Sequence, residues 1–225
     1  DDAYITYRYA RNIAMGRGFV YNPDESVLGT TTPLYTLLLA ALSKIWPHLP
    51  NLSHTIGILA WMMCVPITYG IGQTGGKKTT GMIAASYIAF NRILLDALGM
   101  EANLYVLLIL STFYLHLKDK PKWAALFAGL TFLIRWDGIL VMGVFIFAQI
   151  LKRKQSLFWP ILICASLIIP WLIYSYFTFG SIFPNSFFAK MGQGRNQGLG
   201  GDEIGSFAQG LWLIARSTYV KNPLF

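Results

Sequence analysis

From Pro33 to Phe179 the sequence is a succession of apolar blocks separated by polar breaks only a few residues long. The first is led by "GTTTPLYTLLLAALSKIW", and others follow at about 55–73, 79–95, 101–117, 122–135, 137–151 and 156–179. Such a chain has too little polar surface to coat a water-soluble domain. Only 12% of its 225 residues are charged, about half the share of a soluble globular protein. The pattern predicts an all-α fold, a polytopic transmembrane helical bundle. Several blocks are shorter than the ~20 residues that a perpendicular span requires.

The segment before the first block reads differently. In "DDAYITYRYARNIAMGRGFVYNPDES", Ile5, Tyr9 and Ile13 recur at helical spacing, with Arg8, Arg11 and Asn12 largely around the other side. It is too polar to span and suits an amphipathic helix lying in the membrane interface, its arginines reaching lipid phosphates. Gly16 and Gly18 are placed to end it. Thr32 and Pro33 are placed to cap and start the next helix. The organisation expected is therefore a first external loop with an interfacial helix at 1–32 and a bundle at 33–179. An external loop leading into a further amphipathic segment follows at 180–225. A membrane helix before Asp1 and a further C-terminal part are also expected.

The net charge of +8 does not point to nucleic acid, because no long basic patch forms. The basic residues fall in the breaks, where they act as topology signals. "HLKDKPK" and "LKRKQ" are the most basic and are expected in the cytoplasm, which puts "RWDG", "NRILLDALGME" and "FPNSFFAK" outside. Seven blocks are one too many if Asp1 and Asp2 also lie outside. The expected non-crossing segment is 79–95, which carries Asn91 and Arg92. Cys64 and Cys164 sit far apart in apolar blocks and read as small buried hydrophobes, with no disulfide framework and no zinc site. His48, His54 and His116 lack metal-ligand spacing and read as interface residues.

Ionisable groups at membrane depth are costly and commonly mark a substrate path. The predicted outer face gathers the acids Asp1, Asp2, Asp96, Glu101 and Asp137, the amide Asn185, and the cations Arg8, Arg11, Arg92, Arg135 and Lys190. Such a set could hold a phosphate-bearing lipid and activate a hydroxyl. Each group also has a plainer use: Arg8, Arg11 and Lys190 as headgroup anchors, Asp1 and Asp2 as N-terminal helix charges, Glu101 likewise, and Arg135 with Asp137 as a local pair.

The stretch from the acidic pair to "TTTPLYTLLLAAL" resembles the first external loop and following helix of the GT-C superfamily of membrane glycosyltransferases. "GMEANLYVLLIL", "GLTFLIRWDGILV" and "FPNSFFAK" resemble later landmarks in the same order, so the likeness runs from residue 1 to about 190. It is nearest to the polyprenyl-phosphate-dependent type that includes the mycobacterial terminal arabinofuranosyltransferases. Protein O-mannosyltransferases and the aminoarabinose transferases of lipid A are more distant. The resemblance implies an inverting transfer of a sugar, arabinofuranose- or mannose-like, from a polyprenyl-phosphate donor to a hydroxyl of a cell-envelope glycan, lipid or protein. It places the protein in a bacterial inner membrane, with its site on the external side. Asp1 or Asp2 would be the general base. Arg8, Arg11, Arg135 and Lys190 would serve the donor phosphate, with Glu101, Asp137 and Asn185 lining the site. No cofactor is called for, although an acidic pair could hold Ca²⁺ or Mg²⁺ if one took part. The competing expectation is a non-catalytic transporter or binding subunit for lipid-linked saccharides.

Overall fold

Glycine and proline set many of the helix boundaries. The computed structural model describes residues 2–23, 25, 27–152, 156–182 and 184, without the side chain of Asp2. Among the described residues nine α-helices follow one another, with no strand. The first, α1 (Asp2–Ala14), stops where Gly16 and Gly18 adopt φ of +75° and +84°, a region that residues with a side chain resist. Proline occupies the first turn of α2 (Pro33–Ser43), α3 (Leu49–Thr74) and α7 (Pro121–Ile134), where its missing N–H costs nothing. Thr32 is the N-cap residue of α2 as expected, but its side chain makes no cap bond. Its Oγ1 instead lies 3.1 Å from Thr30 Oγ1 and 3.4 Å from Thr6 Oγ1, so the hydroxyls tie the loop to α1.

The remaining helices are α4 (Lys78–Ala89), α5 (Arg92–Asp96), α6 (Ala102–Leu117), α8 (Gly138–Leu151) and α9 (Phe158–Phe179). Two of the nine, α3 and α9, are long and apolar enough to cross a membrane. In the packing, α6 lies between α3 and α7, α4 packs on α3, and α8 and α9 pack on α7. Directions alternate along the chain. α4 runs back along α3, with Gly72 meeting Gly81 and Trp61 Nε1 donating to the Ile88 carbonyl. α7 returns along α6 so that Arg135 reaches Glu101. α8 then brings Gln149 to His116, at the far end of α6.

Two ends result. At one, Lys152 Nζ lies 2.7 Å from Asp119 Oδ1 and donates to the His116 carbonyl at 3.0 Å. This bond joins the two basic breaks that the sequence places together. At the other end lie α1, α2, the start of α3, the 90–101 turn and "RWDG". α4, 12 residues long, returns beside the second half of α3, with Lys77 and Lys78 at the C-terminal end of α3. α2 packs along α1. At its start Thr32 meets Thr6 of α1, and at its close Ser43 and Lys44 line a cleft with Tyr4 and Arg8 of α1. Eleven residues, about 16 Å of helix, lie along α1.

Close helix approach relies on small residues. A Cβ on Gly81 would sit 2.9 Å from the Tyr69 carbonyl oxygen. Gly81→Val is therefore expected to lower stability by about 1–3 kcal/mol through overpacking, read as a drop in melting temperature. Gly75→Ala, where a Cβ meets nothing nearer than 3.8 Å, should leave it unchanged. The basic end supplies a pH test. Hydrogen bonding to Lys152 and its charge hold the Asp119 carboxyl below its ordinary value. Its contribution is complete above an unfolded carboxylate's value of about 3.9 and fades as pH falls through the lower folded value. Lys152→Met should abolish that part of the acid-unfolding profile, followed by circular dichroism.

Candidate functional site

The site end is built around a buried carboxylate. Glu101 precedes α6 and is 8% exposed, and it makes no cap bond to its own helix. Its Oε1 accepts instead from Arg135 at 2.9 Å. Arg135 reaches it because α7 ends there: the residue turns to extended backbone (φ −151°, ψ 140°), directing the chain away from the helix axis. The same guanidinium donates through Nε to Asp137 Oδ1 at 3.2 Å and stands 5.7 Å from the Tyr105 ring centre. Burial works against the guanidinium charge, but Asp137 and Glu101 outweigh it and hold Arg135 above its ordinary value. The cluster thus sets two carboxylates on one cation.

α1 docks beside this cluster. Ala3 and Tyr7 belong to the apolar core that also contains Leu104, Tyr105 and Ile134, the residue before Arg135. The Tyr7 hydroxyl donates to the Gly99 carbonyl at 2.6 Å. Burial pushes the Tyr7 phenol above its ordinary value, so it stays protonated and can donate. Beneath it, Tyr35 and Ser53 share a hydrogen bond of 2.7 Å. The first turn of α1, which begins at Asp2, therefore stands at the same end as "RWDG" and Glu101. Asp1 and the Asp2 side chain lie outside the described residues, as do Asn185 and Lys190.

The other face of α1 lines a cleft of about 1040 Å³. Arg8, Arg11, Arg17 and Lys44 border it together with His48, and among the described residues no acidic side chain lines it. Arg8 is partly committed: Nε donates to the Tyr21 carbonyl at 3.0 Å, one terminal nitrogen donates to Asn22 Oδ1 at 2.6 Å, and the guanidinium lies 4.2 Å from the Tyr21 ring centre. These contacts hold the loop after α1 in place. Arg11, Arg17 and Lys44 are exposed, with no ion pair among the described residues. A second, apolar groove of about 460 Å³ opens nearby. Leu34, Leu37, Leu133, Leu167 and Trp171 line it, and the end of α1 borders both spaces.

Of the residues singled out from sequence, Glu101, Arg135 and Asp137 are brought into one cluster, with α1 beside it. Arg8 and Arg11 face a separate cleft. Among the described residues Asp96 pairs with Arg92 alone, at 3.7 Å on the exposed surface. Cys64 and Cys164 are buried as expected. Among the described residues, no three His, Cys, Asp or Glu side chains converge on a point that could hold a metal ion. Sequence reasoning missed Tyr7, Arg17, Lys44 and His48. The i, i+3, i+4, i+7 recurrence of Tyr4, Tyr7, Arg8 and Arg11 carries part of that cleft, while Lys44 and His48 join it only through the α1–α2 docking.

Removing Arg135 strands a buried acid. Arg135→Met is expected to cost about 1–3 kcal/mol, and Asp137→Ala, on the exposed side, less than about 1 kcal/mol. The double variant Glu101→Gln/Arg135→Met should recover part of the loss, as urea or thermal unfolding would show. No family model matches the chain, and no curated protein or solved structure is found similar to it.

Proposed function

We propose that the protein is an integral-membrane inverting glycosyltransferase that uses a polyprenyl-phosphate sugar, with Asp1 or Asp2 as general base. The observation that carries this reading is the assembly at one end. The helix beginning at Asp2, the Glu101–Arg135–Asp137 cluster and a cationic cleft meet there, and the lysines of the basic end lie at the opposite pole. Membrane insertion is supported by exposure. Only 22% and 17% of the most apolar windows of α3 and α9 are buried, whereas the core helix of a soluble protein is mostly buried. Leu59, Met62, Leu140, Phe147, Ile169 and Phe177 are all exposed, a surface suited to lipid rather than water. In this reading α3, α4 and α6–α9 form the polytopic bundle. α1 and α2 lie in the outer interface, and the basic end faces the cytoplasm.

The chemistry then follows from the groups present. The carboxylate takes the proton of an acceptor hydroxyl as its oxygen bonds to the anomeric carbon from the face opposite the donor phosphate. The bond from that carbon to the phosphate oxygen breaks, and polyprenyl phosphate leaves with the electron pair. Cations near the phosphate stabilise the charge that develops on it. Arg135, already held by two carboxylates, has little charge to spare. Arg8 and Arg11 are better placed for that task, with Lys190 as a further candidate. The apolar groove suits the start of an isoprenoid tail. Glu101 and Asp137 would line the acceptor side, with Tyr7 fixing the turn that presents Glu101, and Asn185 would complete it.

The test is transfer of labelled sugar from polyprenyl phosphate by the full-length protein in lipid nanodiscs. Asp1→Asn or Asp2→Asn should slow turnover by about 10²–10⁴-fold while donor binding persists. Full activity in both variants removes the base assignment. Donor binding without any transfer by the parent protein would favour a non-catalytic carrier of lipid-linked saccharides.

A further inference from the structure

The cleft along α1 is larger than one phosphate requires. Its wall follows the helix from Tyr4 to Met15, about 16 Å at 1.5 Å per residue, and continues to Arg17 beyond the helix end. A reacting phosphate must sit beside the hydroxyl that the first-turn carboxylate activates, so it occupies at most the near part of this length. Arg17 lies about 20 Å along the chain from that turn. Among the described residues the cleft is lined by cations along this length and by no acid.

Apolar side chains stand beside it. Met15 lines the cleft at the end of α1, and Ile45 and Trp46, outside the lining residues, directly follow Lys44 in the chain; they are 51%, 85% and 45% exposed. A site for a soluble anion or an acidic glycan has no use for these side chains in water. Cations set next to exposed aliphatic and indole groups match a molecule with an anionic head and apolar chains. We infer that the Arg17–Lys44–His48 end of this cleft holds the headgroup of an anionic bilayer phospholipid, distinct from the glycosyl donor, with its acyl chains lying against Met15, Ile45 and Trp46. Arg17 and Lys44 supply the charge for the phosphate diester. His48 accepts the Asn51 backbone N–H through Nδ1 at 3.3 Å, which leaves Nε2 as a donor. The inference rests on the membrane placement proposed above and not on the catalytic step, so the absence of glycosyl transfer would leave it standing.

The test releases the full-length protein from nanodiscs of mixed phosphatidylglycerol and phosphatidylcholine and counts retained lipid by native mass spectrometry. A parallel arm titrates polyprenyl phosphate. Arg17→Gln/Lys44→Gln should weaken phosphatidylglycerol retention on the order of 30-fold, two charges' worth at a membrane surface, and leave polyprenyl-phosphate binding unchanged. The charge-preserving Arg17→Lys/Lys44→Arg variant should retain the lipid. Unchanged phosphatidylglycerol retention in the Gln variant overturns the inference. So does loss of polyprenyl phosphate in place of phosphatidylglycerol, which would assign the whole cleft to the donor.

Discussion

The Glu101–Arg135 pair is the constraint on which the site end depends. It joins the start of α6 to the end of α7, the central pair of the bundle. A carboxylate this buried is tolerable only with a partner, and Arg135 is the partner within reach. Once the pair forms, the turn before α6 is fixed, and Tyr7 can bind the Gly99 carbonyl. α1 then has a seat between that turn and Ile134, and α2 packs beneath it. The interaction therefore orders elements separated by more than a hundred residues.

Helix content was legible in the sequence because apolar blocks, prolines and glycines are local signals. The stop at Gly16 and Gly18 and the start at Pro33 needed no tertiary information. The role of α2 did need it. "PLYTLLLAALS" has the composition of a span, and only the structure shows it docked along α1. Segment 79–95 divides in a way the sequence did not show. Asn91 and Arg92 look unsuited to a crossing, but the helix ends at Ala89 and Asn91 caps the short α5 that follows. The polar residues belong to the turn rather than to α4.

Site residues were legible as types and not as partners. Glu101, Arg135 and Asp137 stand out by being charged in apolar surroundings. Nothing in their spacing says that Arg135 would serve both acids and so be spent as a free cation. Arg8 is similar: its contacts with Tyr21 and Asn22 depend on how the loop after α1 folds back. Arg17 and Lys44 were passed over because each sits in an ordinary break. Their significance comes from the cleft they share.

The position of Tyr7 has a wider consequence. Its ring borders the cationic cleft, and its hydroxyl rests on the turn that presents Glu101. One helix thus forms a thin septum between a compartment carrying four cations and a cluster with more carboxylate than guanidinium. That separation of charge is carried by side chains anchored on either side of α1, and it persists when the site is empty. It would favour one orientation of a molecule with a charged end and a neutral hydroxyl end. The fold would then sort the orientation of its ligands by field rather than by shape.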